Sequence, residues 1–339
     1  LIRKRIRNAK MKAEEKQVGR YSATTTALLY LDGVVYLPIC EEMRKRLDAF
    51  EVDGIEDGGM IEYLTRKKKE GRFPVYQITE RPDRAAQAIL EGRVVLLTDN
   101  SPEALIFPAT LNSLFQTADD YYRNERIVTF LRLIRYVAAF LALALPGLYV
   151  AAATFHPQLL PGNLIRSMAE ARSGVPFPTA AEVLLMELSF ELLREAGLRM
   201  PGPAGNTIGI VGGLIVGQAA VSANLVSPIT VTVAALTALG SFSIPNEELS
   251  EVFRLWKYGI LLLGSCFGIL GVMLGCFLLL MLMAEQESYG IPWLYPYVGG
   301  NLNERADEKD SMFLAAARKR KRRPIFAKWG NRIRFRRKS

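Results

Sequence analysis

Residues 200–246 read MPGPAGNTIGIVGGLIVGQAAVSANLVSPITVTVAALTALGSFSIPN, 47 positions between Arg199 and Glu247 without a charged side chain. Tyr258 to Ala284 adds 27 more. A soluble domain within 339 residues cannot bury that much uninterrupted apolar sequence. A lipid-crossing helix needs roughly 20 mostly apolar residues, because about 30 Å of hydrocarbon is crossed at about 1.5 Å per residue. A charged fraction of 23% and a mean hydropathy of +0.13 conceal a polar half joined to a membrane half. The expected fold is an α/β soluble domain followed by an α-helical polytopic membrane domain.

Four segments are long enough to span, at about 134–155, 206–222, 225–244 and 258–284. The first contains Pro146-Gly147, which neighbouring helices can accommodate. Only Ser222-Ala-Asn224 separates the second from the third, so they read as a tight helical hairpin or a pair of half-penetrating helices. A further helix at 180–196 carries Glu182, Glu187, Glu191, Arg194 and Glu195, and is expected to avoid lipid. Arg123, Arg126, Arg132 and Arg135 precede the first span, while loops 156–205 and 245–257 are each net −1. The positive-inside rule then places both termini in the cytoplasm and both loops opposite.

Residues 1–20 read as a basic linker, or the remnant of an upstream domain, since the chain begins on Leu1 rather than Met. Strands are expected at Thr26–Leu31, Val75–Ile78, Arg93–Thr98 and Ala104–Phe107. Helices are expected at Glu41–Phe50 and from Pro82 to Leu90, stopped by Gly92. Together these make an α/β cytoplasmic domain over 21–116, with a helical membrane domain over 117–300. Thr117-x-x-Asp120 reads as the N-cap of the helix entering the bilayer. Asp53-x-x-x-Asp57-Gly58 resembles a calcium loop, but Ile55 and Leu64 occupy ligand positions, so a turn into a capped helix is expected.

Residues 301–339 form a basic tail, with 12 Lys/Arg and no Asp or Glu from 311 onward. It reads as a segment on anionic lipid, a nucleic-acid arm or a solvated terminus, and no nucleic acid is the expected partner. Cys40, Cys266 and Cys276 have no metal or redox spacing, and His156 reads as a helix-end residue. With no nucleophile, metal or phosphate motif, neither an enzyme, a catalytic residue, a metal nor a cofactor is expected.

Three constellations remain. Gly209, Gly213 and Gly217, with Gly264, Gly268, Gly271 and Gly275, make side-chain-free helix faces for packing within the chain or between subunits. Ser227, Thr230, Ala234, Thr237 and Ser241 share one face of the third span. Gln218, Val221 and Asn224 near the hairpin tip, with Ser227, Thr230, Thr237 and Ser241, are candidate pore-lining residues, although such hydroxyls also bond to i−4 carbonyls. Glu187, Glu191 and Glu195 share a face and are candidates for an acidic vestibule, whereas Thr179-x-x-Glu182 reads as a capping box.

Thr79-Glu-Arg-Pro-Asp83, Leu90-Glu-Gly-Arg93, Asp120-Tyr-Tyr122, Gly174-Val-Pro-Phe-Pro178, Leu185-Met-Glu187, Leu193-Arg-Glu-Ala-Gly197, Gly217-Gln-Ala-Ala220 and Ser227-Pro228 occur in order. Over about residues 20–298 the chain resembles the A-subunit family of bacterial spore germination receptors (GerA type). The resemblance implies an integral protein of the spore inner membrane that helps convert a nutrient signal into germination. It also implies a transporter-like B subunit and a lipoprotein C subunit as partners, and a homo-oligomer acting as an ion-channel-like component. The arginine-rich tail departs from the nutrient-receptor pattern. It leaves open the sporulation-stage relative associated with the dipicolinate channel, and with it a non-conducting scaffold or accessory role.

Overall fold

Leu28 and Tyr30, Val94 and Leu96, and Leu105 and Phe107 turn to one apolar cluster, while Leu29, Leu31, Val95, Ala104 and Ile106 turn to another. This period-two alternation, with both faces buried, explains why these stretches read as continuous apolar runs. The architecture comes from a computed structural model. It describes residues 1–67, 70–200, 203–298, 309–328, 330 and 333, with the backbone alone at 203–211 and 317. Two compact units emerge, unit 1 (Leu1–Ile134, Pro245–Leu249, Met281–Ser339) and unit 2 (Arg135–Ile244, Ser250–Leu280).

Unit 1 is built on a five-stranded antiparallel sheet: β1 (Met11–Val18), β2 (Thr24–Leu31), β3 (Gln77–Thr79), β4 (Val94–Thr98) and β5 (Ala104–Phe107), in spatial order β1-β2-β4-β5-β3. α2 (Leu37–Asp48) and α3 (Gly58–Thr65) supply Ile39, Met43, Leu47 and Ile61 to one face. α1 (Ile2–Arg5) and α4 (Pro82–Glu91) supply Ile2, Ala85, Ala88 and Ile89 to the other. α4 begins with Pro82 in its first turn and ends at Gly92, whose φ of +95° is the left-handed conformation that favours glycine.

Three expectations are corrected in unit 1. Residues 1–20 are not a linker: β1 pairs with β2 from Met11↔Leu31 to Val18↔Thr24. Its charges suit an edge strand, where they discourage pairing with other chains. Thr117 and Asp120 close the 3-10 turn Ala118–Tyr121, and α6 (Glu125–Thr154) starts later. The domain boundary also moves, because residues after the apolar run return to unit 1. There, the short hairpin of β6 (Glu287–Ser288) and β7 (Ile291–Pro292) brings Tyr289 and Trp293 inside. Trp293 stacks on Phe73 and Tyr289 on Phe107, and Trp293 Nε1 donates to Pro74 O at 2.7 Å. A further short helix of unit 1, α5 (Leu111–Leu114), is capped by Thr110.

The described part of the tail is docked, not free. Val35 bridges Ala327, Lys328 N donates to Val34 O at 2.8 Å, and Arg323 Nε donates to Leu90 O at 2.9 Å. Trp329 and Phe335 lie outside the described residues, as do 301–308, 331–332, 334 and 336–339.

Unit 2 contains the rest of α6, then α7 (Gly162–Ala171), α8 (Thr179–Arg199), α9 (Pro203–Ser222), α10 (Pro228–Phe242) and most of α11 (Glu247–Glu285). By length and composition, α6 and α11 are long and apolar enough to cross a membrane. α11 is not one rod, however. At Gly268 the backbone takes φ 64° and ψ −145°, non-helical values inside the run. A Cβ on Gly271 would fall on the Leu263 carbonyl oxygen, and one on Gly275 would meet Ile260 Cγ1 at 2.9 Å. In a straight helix, residues 260 and 275 stand about 22 Å apart, so 258–284 is a hairpin and not the single span expected.

Contacts fix the direction of each leg. Tyr149 meets Thr230, and a Cβ on Gly240 would meet Ala138 O at 2.6 Å, so α10 runs against α6. Lys257 pairs with Glu187 and Arg254 with Glu191, so α8 runs against the first leg of α11. Gly212 approaches Leu193 and Gly213 approaches Phe190, so α9 runs against α8. The legs form an alternating bundle of α6, α8, α9, α10 and the two halves of α11. Its outside is apolar: Phe140, Leu185, Leu192, Leu214, Leu239, Leu270 and Phe277 are all exposed.

Candidate functional site

Ser227-Pro228 starts α10 by local chemistry. Ser227 is the N-cap, its Oγ accepts from Thr230 N at 3.3 Å, and Pro228 fills a position where the missing N–H has no helical partner. At alternating steps of three and four residues from Ser227, Thr230, Ala234, Thr237 and Ser241 follow on the inward face, all buried.

Glu182 of α8 is fully buried opposite this start. Its Oε2 accepts from Ser227 N at 2.9 Å and from Thr230 Oγ1 at 3.0 Å, while Oε1 accepts from Arg172 Nε at 3.0 Å. The carboxylate therefore sits at the N-terminus of α10, where the helix dipole favours negative charge. That corrects the capping-box expectation. α8 begins with Pro178 as its N-cap and no side-chain cap, so Glu182 serves a different helix.

One turn and a half further along α8, Glu187 is 2% exposed and accepts from Lys257 Nζ at 2.5 Å. Thr237 lies beside it. Glu187 Oε1 has no hydrogen-bond partner among the described residues. Glu191 pairs with Arg254, and Glu195 with Arg199 at 2.6 Å on the exposed end of the helix. Within the chain, the three vestibule candidates are thus each matched by a cation. Removing either member of a buried pair leaves an uncompensated charge, costing about 3–5 kcal/mol.

The other candidates divide. Ser227, Thr230 and Thr237 join the carboxylates, although Thr237 Oγ1 donates back to Val233 O at 2.9 Å and Ser241 Oγ to Ala238 O at 2.7 Å. Val221 is half-buried against Met186 and Ala234. Gln218 and Asn224 are exposed, and Asn224 turns the chain between α9 and α10 with φ 55°. They do not join the buried cluster. Gly213 and Gly217 pack on Phe190 and Val231 of the same chain, while Gly264, Gly271 and Gly275 serve the α11 hairpin. Gly268 turns that hairpin beside His156, and the packing of Gly209 lies outside the described residues.

The family model described as Bacillus/Clostridium GerA spore germination protein matches residues 1–326. The chain belongs to this family. Among its relatives, "Uncharacterized membrane protein YfkQ" of Bacillus subtilis (strain 168) is 38% identical over 316 residues, 93% of this chain and 61% of that protein. "Spore germination protein KA" of the same organism is 37% identical over 296 residues, covering 87% and 54%. "Spore germination protein A1", also from it, is 38% identical over 296 residues, covering 87% and 61%. The chain therefore spans roughly three-fifths of the length of these proteins or less. The crystal structure of the N-terminal domain of the A subunit of the Bacillus megaterium spore germinant receptor GerK3 aligns at 31% identity. It covers 32% of this chain and 87% of that one, with a TM-score of 0.25.

Within this GerA-family chain, sequence reasoning missed Arg172, Arg254 and Lys257 as partners of the acidic helix. A signal was present. Lys257 borders the 27-residue apolar run, and Arg254 and Lys257 are three apart, matching the four-residue step from Glu187 to Glu191 on an antiparallel helix.

Proposed function

We propose that this chain is an A-subunit-type germination protein of the spore inner membrane, one copy of a homo-oligomer that helps turn a nutrient signal into ion movement. Family membership supports the germination role, and the apolar exterior of unit 2 supports a membrane setting. The observation that carries the ion-handling part is the hydroxyl face of α10 laid against the buried carboxylates Glu182 and Glu187. Ionisable groups inside a membrane bundle are costly and mark ion or proton pathways.

In this reading the six legs of unit 2 cross the bilayer, α8 included, because Leu185, Leu188 and Leu192 face outward while its acids face inward. Both ends of unit 2 then meet the cytoplasmic side, the spore-core side of a spore. Lys257 and Arg172 act as tethered counter-ions, occupying carboxylates that a permeant cation would otherwise engage. A transporter-like B subunit and a lipoprotein C subunit are the partners that the family resemblance supplies.

Ion flux from purified full-length protein in liposomes tests the proposal. Lys257→Gln should raise cation leak several-fold over wild type, and adding Glu187→Gln should abolish the increase. A second reading, a non-conducting scaffold or an accessory protein at the dipicolinate channel, draws on the pairing of each acid within one protomer. Flux no greater than that of protein-free liposomes for all three proteins would establish it over the channel reading.

A further inference from the structure

Unit 1 carries an arginine cluster that none of the above uses. Arg93 follows the left-handed Gly92 and enters β4 with only 3% of its surface exposed. Its guanidinium stacks 4.2 Å from the ring centre of Phe326, a tail residue. Arg84, Arg132 and Arg320 surround the ring of Tyr121, at 5.9, 5.7 and 5.2 Å from its centre. Six buried guanidinium nitrogens here have no hydrogen-bond partner among the described residues: Nε and Nη1 of Arg84, Nε and Nη1 of Arg93, Nη2 of Arg132 and Nε of Arg320. Buried polar groups are almost always satisfied, so such a concentration calls for an acceptor.

The geometry supplies a place for one beside Arg93 and Arg320, which carry three of the six nitrogens; Arg84 and Arg132 are not among its lining residues. A cavity of about 50 Å³ is bordered by Arg93, Gln116, Tyr121, Asp310, Arg320 and Phe326. At roughly 10–15 Å³ per water molecule, this holds about four oxygen-sized atoms. A second cavity, of about 320 Å³, shares Tyr121 and Arg320 with the first. Among the described residues, Arg84, Arg93, Arg132 and Arg320 gather here with Glu91, Asp120 and Asp310. Burial pushes the Arg93 guanidinium down to about 10, the direction expected where a cation is desolvated without enough anion nearby.

We propose that this cavity binds one small tetrahedral oxyanion, a phosphate or a phosphate ester. Guanidinium N–H groups are planar donors matched to phosphoryl oxygens, and four oxygens fill the volume. Tyr121 holds three of the arginines in place through its ring face. Phe326 closes one wall, so an occupied site would also hold the tail onto unit 1.

The test is isothermal titration of the full chain in detergent with inorganic phosphate, glycerol phosphate, acetate and chloride at matched ionic strength. Inorganic phosphate should bind saturably, one per chain, and the dissociation constant should rise at least ten-fold in Arg93→Gln. Arg320→Gln, at a partly exposed position, should give a similar loss and does not depend on replacing a core residue. Glycerol phosphate binding as tightly as phosphate supports the site with an ester, such as a lipid headgroup, as the source. Binding by inorganic phosphate alone supports it with the free anion as the source. Phosphate behaving like chloride, acetate binding in preference to phosphate, or wild-type affinity in both variants would overturn the proposal.

Discussion

Replacing Lys257 with methionine should strand a carboxylate, and the size of the effect can be worked out beforehand. Glu187 is 2% exposed and Lys257 is its ion-pair partner at 2.5 Å. Breaking such a pair costs about 3–5 kcal/mol if the remaining charge stays. The acid has an escape, proton uptake, which at pH 7 costs about (7 − 4.3) × 1.36, or roughly 3.7 kcal/mol. The penalty is therefore capped near that value and should fall by about 1.4 kcal/mol for each pH unit of acidification, to about 1 kcal/mol at pH 5. Adding Glu187→Gln removes the stranded charge, so the double variant should recover most of the loss and show little pH dependence. Equilibrium unfolding of the full chain in mixed micelles by SDS, followed by circular dichroism between pH 5 and 8, measures both. A penalty that stays flat across that range, or a double variant no more stable than Lys257→Met alone, would refute the buried-pair reasoning.

Three further outcomes follow from separate parts of the molecule. Cysteines introduced at Ile260 and Gly275, with Cys266 and Cys276 replaced by serine, should form an intramolecular disulfide. Their failure to cross-link under oxidation would mean that α11 does not reverse at Gly268. Gly92→Ala should cost about 1–2 kcal/mol from its left-handed backbone, and more because the new Cβ would lie 2.7 Å from Ala327 Cα. Gly290→Ala, also at positive φ but with nothing within 4 Å, isolates the backbone part; hydrogen exchange over 309–328 should rise only in the former. Arg81 holds the Asp83 carboxyl down to about 2, below an unfolded value near 3.9. The associated stability is complete above about pH 4 and disappears as the pH falls towards 2. Arg81→Gln should thus lower the unfolding midpoint at pH 5, with the gap to wild type closing by pH 2; a constant gap would mean that the pair contributes no pH-dependent term.

Local signals explain what the sequence disclosed. β5 was expected at Ala104–Phe107 and is found there, and α4 was legible because Pro82 and Gly92 bracket it. β1 was not, since MKAEEKQV lacks the apolar alternation of a half-buried strand, and its pairing with β2 is a long-range fact. The reversal at Gly268 is hidden for a related reason. GILGVMLG continues a helix as readily as it breaks one, and the decision rests on what packs against the glycines. Their spacing identified a close-approach face, but the partner was the chain's own continuation. Likewise, the hydroxyl stripe of α10 was legible from its period, while its counterpart was not. Glu182 carried a local capping pattern that masked its contact with Ser227, 45 residues away.

Unit 1 is assembled from pieces of chain made at very different moments. Its first 134 residues include Phe73, Tyr76 and Phe107, whose rings await Trp293 and Tyr289 from the segment that starts at Met281. The 146 residues in between, all but five of which belong to unit 2, take roughly 7–30 s to synthesise at 5–20 residues per second. During that interval the nascent sheet carries an open aromatic slot, vulnerable to proteases and to mispairing. A chain that stops before Trp293 would leave the slot permanently unfilled. The segment from Met281 thus acts as a completion check: the polar unit matures only on chains whose helical unit has already been made.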